Sequence, residues 1–165
     1  MKIFNWAYDI FKSLDFSDAL SSYLNLAINI VVLIIVAYIL DYLFKKLFII
    51  FLAIVAARTK SSFDDFLVAN KTAKYLAHLV PLLFIYKTVP VILKNFTYWE
   101  YIFEKGIKIY IIILSLWITR SIFNSLRDYL KQKPRFSDKP IDSYIQVIML
   151  FLWPFGIISF MLILF

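Results

Sequence analysis

Few side chains in this sequence are of types that do chemistry, and most of them lie within or beside long apolar stretches. Asp41 and Lys45 are four residues apart, which is the spacing of an ion pair on one face of a helix. His78 is the only histidine and has no acid at helical spacing, so we interpret it as a packing or hydrogen-bonding residue rather than a proton relay. Lys87 and Arg120 interrupt apolar segments, where an ionisable residue is a candidate functional site.

Two interpretations fit Lys87 and Arg120. Each long side chain could extend along its helix until the charge reaches the lipid headgroups. Alternatively, one of them pairs with an acid or with a buried carbonyl. The other basic residues cluster in polar segments, where anionic lipid attracts them by about 1 kcal/mol per side chain, although membrane topology alone would also require such clusters.

No combination of residues indicates catalysis. The sequence has no cysteine, one histidine and two glycines, which excludes thiolate chemistry and a metal site with several histidines from one chain. No apolar segment carries paired acids or a Ser/His set. We therefore expect no enzymatic activity, no metal and no cofactor. The net charge of +7 is explained by basic loops beside a membrane, so we expect no nucleic-acid partner.

The composition points to lipid as the main solvent of the chain. Hydrophobic residues make up 62% of the 165 residues, against about 45–50% in soluble domains. A soluble domain of this size has too much surface for its volume to bury so many. We predict an all-α integral membrane protein whose domain of residues 24–165 has four transmembrane helices, at about 24–44, 73–93, 106–126 and 143–165.

The first helix is predicted to extend beyond the bilayer. No Gly or Pro ends it after Leu40, and the apolar residues Leu47 to Ala57 are too few for another crossing. One helix from about Leu24 to Arg58 would be about 50 Å long.

Residues 1–23 mix aromatic and charged side chains and lack the features of a secretory signal peptide. We interpret them as an amphipathic segment at the membrane interface, with a partly ordered terminus as the alternative. Two pairs resemble capping boxes: Ser62 with Asp65, and Thr97 with Glu100 in a short loop predicted before the third span.

Lysine and arginine are distributed unevenly among the polar segments. Residues 1–23 hold two, 45–74 hold six, 94–105 hold two and 127–142 hold five. Because cytoplasmic loops carry the excess of positive charge, we predict that the loops 45–72 and 127–142 are cytoplasmic and that the N-terminus is on the outer side.

Three segments in a fixed order carry a resemblance to a known family. They are Arg58–Leu67 (RTKSSFDDFL) after the long first helix, Tyr75–Tyr86 (YLAHLVPLLFIY), and Lys139–Ile148 (KPIDSYIQVI) entering the fourth span. Together they resemble the membrane-sensor part of small-conductance mechanosensitive (MscS-like) channels, especially the five-span miniconductance-type branch, from about residue 24 onward. The third segment departs from the family, since Asp142 and Ser143 stand where a basic residue and a glycine are usual.

The resemblance implies the membrane-tension-sensing region of a mechanosensitive ion channel, a homoheptamer in the bacterial inner membrane with a periplasmic N-terminus. Such channels continue with a Gly- and Ala-rich pore helix and a cytoplasmic β domain. With only two glycines, we expect both to be absent from this chain. Because apolar residues continue to Phe165 without a polar tail, we also expect the sequence to be truncated.

Membrane lipids are the partner implied by this interpretation. The candidate residues for lipid contact and tension sensing are Asp41, Lys45, Lys46, Pro81, Pro90 and Arg120. The alternative function is an accessory or structural four-helix subunit that docks on a larger membrane complex through its second and third spans.

Overall fold

Helices account for nearly all of the chain that the structure, a computed structural model, describes: residues 4–58, 63–136 and 139–165. The helices in chain order are α1 (Trp6–Ser13), α2 (Asp18–Arg58), α3 (Phe63–Ala69), α4 (Thr72–Ala77), α5 (Leu79–Ile92), α6 (Thr97–Lys131) and α7 (Ile141–Leu164), with a short 3-10 helix at Pro134–Phe136 before α7.

Four helical segments are long and apolar enough to cross a membrane. They are Asp18–Val55, Thr72–Ile92, Thr97–Lys131 and Ile141–Leu164. The predicted all-helical architecture with four such segments is therefore confirmed over the described ranges.

The long first helix is present and starts earlier than predicted. α2 is continuous over 41 residues, about 61 Å at 1.5 Å per residue, which is twice the thickness of a hydrocarbon core of ~30 Å. It begins at Asp18, six residues before the predicted start, because the turn after α1 is short and Asp15 adopts a left-handed φ of 61°. α2 can therefore cross a bilayer and still extend beyond it.

The loop predicted before the third span is mostly helix. α6 begins at Thr97, and the preceding cap residue is Phe96, with no side-chain capping bond from Thr97 or any other residue described there. The spacing of Thr97 and Glu100 therefore marks the start of a helix without forming the reciprocal bonds of a capping box. The other capping pair includes Ser62, which lies outside the described residues.

The second span is two helices rather than one. α4 ends at Ala77 and α5 begins at Leu79, with His78 between them. Pro81 explains the break, because its ring has no N–H for the carbonyl four residues earlier and crowds that carbonyl. His78 instead donates its backbone N–H to the Leu76 carbonyl, which tightens the last turn of α4.

The helices pack in layers. The segment α3–α4–α5 lies between α2 on one side and α6 on the other, and α7 packs mainly on the far side of α6. The buried core lies where α2, α5 and α6 meet, and it consists of Leu33, Leu82, Val89, Leu93, Ile107 and Leu114. The outer faces of all four layers carry exposed large apolar side chains.

α6 and α7 are antiparallel neighbours, held together at both ends. Lys131 Nζ lies 2.7 Å from Asp142 Oδ2 at one end. At the other end Lys105 Nζ donates to the Leu164 carbonyl at 3.1 Å.

Candidate functional site

A cluster of ionisable groups joins α2 to the junction of α4 and α5. The Asp41 carboxylate accepts a hydrogen bond from Lys45 Nζ, so the predicted pair at four-residue spacing is present. The other carboxylate oxygen, Oδ1, lies 2.5 Å from Nδ1 of His78. Asp41 is 17% exposed at its side chain, so most of its carboxylate is shielded from solvent.

The contact between Asp41 and His78 is a close polar contact rather than a hydrogen bond of standard geometry, since Asp41 Oδ1 accepts none among the described residues. Two unprotonated lone pairs would repel each other at 2.5 Å, whereas a proton on Nδ1 makes the contact favourable. This contact links the helix break at His78 to α2.

A groove of about 550 Å³ opens next to this cluster, between α2, α5 and α6. Asp41 and His78 form its polar end, Pro81 lies beside them, and Gly106 forms part of the α6 wall. The rest of the lining is apolar and includes Leu82, Ile85, Ile102, Phe103, Ile107 and Tyr110. Because it is mainly apolar, the groove suits a lipid chain better than a polar metabolite.

The structure places the other predicted residues apart from this cluster. Lys46 is exposed on α2, next to Lys45 but directed to a different face. Pro90 is exposed near the end of α5, whereas Pro81 is buried near its start. Lys87 is also exposed, and its Nζ lies 5.9 Å from the centroid of the Tyr86 ring.

Arg120 lies on α6 in the groove between α6 and α7. It is exposed, and no described acid lies within ion-pair distance of it, so the predicted alternative of a carboxylate partner is not realised among those residues. Its neighbours in the groove are Trp117, Asn124, Met149 and Trp153.

A ladder of buried hydroxyl groups fixes α3 and α4 to α6. Thr72 Oγ1 and Ser121 Oγ are 2.7 Å apart, and Ser121 Oγ donates to the Asn70 carbonyl at 2.6 Å. Ser125 Oγ donates to the Phe66 carbonyl at 2.9 Å. Sequence reasoning missed this ladder, although Ser121 and Ser125 at four-residue spacing in an apolar helix were an available signal.

One further rung lies at the polar end of the ladder. Asn70 Nδ2 donates to Asp128 Oδ2 at 3.0 Å, and Asp128 also accepts from Arg127 Nε at 2.9 Å. The elbow between α3 and α4, where Lys71 has a left-handed φ of 63°, is thus held to α6 by polar contacts on both sides.

α1 folds back on the start of α2. Asn29 Nδ2 donates to the Phe4 carbonyl at 2.8 Å, and Asn25 Oδ1 accepts from the Tyr8 backbone N–H at 3.2 Å. Both asparagines in the first apolar segment therefore bond to α1 or to a residue just before it. The prediction that residues 1–23 form an interfacial segment stays a prediction, with this contact to α2 added.

No family model, curated protein or solved structure matches this chain.

Within the described ranges, no group of three or more His, Cys, Asp or Glu side chains is arranged to hold a metal ion. The polar groups instead connect helix to helix: Asp41 and His78 join α2 to the second span, and Ser121 and Ser125 join that span to α6. The arrangement therefore connects neighbouring helices through a few polar contacts in apolar surroundings.

Proposed function

We propose that this chain is the membrane-tension-sensing region of a mechanosensitive ion channel, which passes bilayer tension to a pore helix outside these 165 residues. The observation that carries the proposal is the small buried share of the four membrane helices. Only 6% to 22% of the residues in the most apolar 18-residue stretch of each are buried. Lipid contacts therefore dominate the surface of every span, and a change in lipid pressure acts on all of them.

Tension favours the conformer with the larger area in the membrane plane. A layered arrangement suits that response, because α2, the α3–α5 segment, α6 and α7 lie side by side and each layer mainly touches its neighbours. The layers can tilt or spread while the polar contacts of Asp41 with His78, and of Ser121 and Ser125 with the α3–α4 segment, keep them connected. The three-segment resemblance to MscS-like channels supports the same function, and it implies assembly as a homo-oligomer, a heptamer in that family.

The proposed location is the bacterial inner membrane, with the N-terminus in the periplasm and the loops 45–72 and 127–142 in the cytoplasm. The uneven distribution of lysine and arginine supports this orientation. Because the chain has no cysteine, single cysteines at Ser13, Asn95 and Lys133 report the topology directly. A membrane-impermeant maleimide should label the first two in intact spheroplasts and the third only after lysis.

The decisive experiment is patch clamp on the product of the whole reading frame that contains this chain, reconstituted in liposomes. We expect suction on the patch to open a current. The tension threshold of that current should rise in Asp41→Asn and in Ser125→Ala, because each variant weakens a polar contact that couples one helix to the next. Ser115→Ala is the matched control, because it removes an exposed hydroxyl that bonds only within its own helix. Its tension threshold should equal that of the native chain. Absence of any tension-gated current from correctly folded protein would overturn the proposal.

An accessory subunit of a larger membrane complex is the second candidate. The observation in its favour is α7, of which only 6% is buried in its most apolar stretch. A stop codon directly after Phe165, with a second membrane protein retained through mild-detergent purification, would support it. An in-frame continuation that encodes a Gly- and Ala-rich helix would instead support the channel.

A further inference from the structure

The groove between α6 and α7 contains two adjoining pockets of opposite character. The first, about 300 Å³, is mainly polar, and it is lined by Arg120, Asn124, Arg127, Asp142 and Gln146. The second, about 210 Å³, is mainly apolar, and its lining includes Ile113, Leu116, Trp117 and Leu152. Arg120, Met149 and Trp153 line both, so the polar and the apolar pockets are continuous through the arginine.

Arg120 is the group in the polar pocket whose charge is not already balanced. Arg127 Nε contacts Asp128 at 2.9 Å and Asp142 at 3.9 Å, and Lys131 holds the same Asp142 at 2.7 Å. The acid in the pocket is therefore neutralised by two neighbouring cations. No acid in the described part of the chain pairs with Arg120, so its guanidinium is free to bind an anion from outside the chain.

The position of Arg120 along the helices matches the depth of a headgroup. The apolar run of α6 ends at Ile118, two residues before Arg120. On α7 the apolar run begins at Val147, directly after the pocket residue Gln146. Trp117 and Trp153 line the same apolar pocket as Arg120, and tryptophan concentrates where hydrocarbon gives way to headgroups.

We propose that this groove binds a phosphate-bearing lipid, with the phosphate on Arg120 and one acyl chain in the adjoining apolar pocket. The guanidinium fork suits a phosphate, since it can donate two parallel hydrogen bonds to two oxygens. Asn124 and Gln146 add neutral donors on either side. Extension of Arg120 toward bulk headgroups would explain its charge, but it would not explain a polar and an apolar pocket that share the same arginine.

This proposal rests on the proposed membrane location but not on channel activity. A binding measurement in micelles therefore tests it separately. A protein without tension gating could still bind the lipid, and a tension-gated protein could fail to bind it.

The experiment uses the full chain in dodecyl maltoside micelles and follows quenching of tryptophan fluorescence by phosphatidylglycerol with brominated chains. We expect saturable quenching in the native chain. Arg120→Gln should weaken the affinity roughly tenfold or more, since hydrogen bonds to charged groups are the stronger kind. Arg120→Lys should keep part of the affinity. Gln146→Ala, which changes the α7 side of the pocket, should lower the affinity as well.

Lys108→Gln is the matched control, because it removes one positive charge from the same helix at a lysine already paired with Glu104 at 2.6 Å. Its affinity should equal that of the native chain. Brominated diacylglycerol, which has the chains but no phosphate, should bind weakly and equally to all variants. Competition by millimolar inorganic phosphate would identify a free-phosphate site and overturn the lipid assignment, as would equal affinities for Arg120→Gln and Lys108→Gln.

Discussion

The carboxylate of Asp41, in the middle of the 41-residue helix α2, lies 2.5 Å from the imidazole of His78 at the break between α4 and α5. His78 occupies the position where Pro81 forces the second span to divide. Asp41 therefore connects the break in the second span to α2, the longest helix. Lys45 contacts the same carboxylate, so the cluster contains one acid with two partners.

We expect the Asp41→Asn variant to be less stable than the native chain. The change removes the charge that both Lys45 and His78 contact, and these side chains are only 31% and 22% exposed. Loss of the Lys45 hydrogen bond and of the close His78 contact, both to a charged and partly shielded group, should lower the free energy of unfolding by about 1–3 kcal/mol. SDS titration of the protein in mixed micelles measures the difference.

Glu104→Gln is the control for that variant. Glu104 pairs with Lys108 at the same four-residue spacing, but both side chains are 46% exposed, so the loss should stay below about 0.5 kcal/mol. Equal losses in the two variants would show that the Asp41 cluster contributes no more than a surface pair.

The hydroxyl ladder gives a second stability prediction. Ser125→Ala removes a fully buried hydroxyl that donates to the Phe66 carbonyl, although the backbone N–H and the side-chain amide of Asn70 still donate to it. The free energy of unfolding should therefore fall by the net value of one hydrogen bond, about 0.5–1.5 kcal/mol. Ser115→Ala removes a hydroxyl from the same helix, but that hydroxyl is exposed and bonds only to the Ile111 carbonyl one turn earlier. Its effect should stay within about 0.5 kcal/mol. The same SDS titration compares them, and a larger loss for Ser115→Ala would contradict the assigned role of the ladder.

Local spacing was enough to predict part of this fold. A run of apolar residues without a helix breaker predicts the long α2, and the i,i+4 spacing of Asp41 and Lys45 predicts their pair. Pro81 is a residue type that kinks or breaks helices, but its presence alone does not place the division of the second span at His78. Contacts between distant positions gave no such signal.

The contact of Asp41 with His78 and that of Ser125 with Phe66 depend on how separate helices pack. In an apolar sequence almost any face can be turned inward, because lipid and protein interior are similar solvents. Hydrophobic periodicity therefore does not select the packed face, and the polar partners become visible only when the helices are assembled.

The attachment of α1 to α2 should weaken at alkaline pH. Hydrogen bonds to Asp18 raise the pKa of Tyr8 above its ordinary 10.0 and the pKa of Lys12 above its ordinary 10.5. A raised pKa in the folded state means that the contribution is fully present below the ordinary value and is lost as pH rises through the raised one. The contact should therefore be intact at neutral pH and lost at a pH above these ordinary values.

A spin label on Ser13→Cys measures this change, since the chain has no other cysteine. Its mobility should be constant from about pH 6 to pH 9 and should rise above about pH 10. With Asp18→Asn added, the label should already be more mobile at neutral pH than in the native chain, although Asn25 and Asn29 still bind this segment, and the alkaline step should be smaller. A step of the same size in both proteins would assign the transition to another group.

The two glycines should respond to alanine in opposite directions. A Cβ on Gly156 would lie 2.5 Å from Leu116 Cδ1, so Leu116 has to change its rotamer or α7 has to move away from α6. Gly156→Ala should lower the free energy of unfolding by about 1 kcal/mol, because overpacking costs about 1–3 kcal/mol and the better helix propensity of alanine offsets part of it. A Cβ on Gly106 meets nothing within 4 Å, and alanine is the better helix former, so Gly106→Ala should be neutral or stabilising by up to about 1 kcal/mol.

A double-mutant cycle tests whether the steric conflict with Leu116 causes the loss at Gly156. If it does, Leu116→Ala combined with Gly156→Ala should lose less free energy of unfolding than the sum of the two single variants. Strict additivity in this double-mutant cycle would mean that Gly156 and Leu116 do not interact, and the close approach of α6 and α7 at this point would then have to be abandoned.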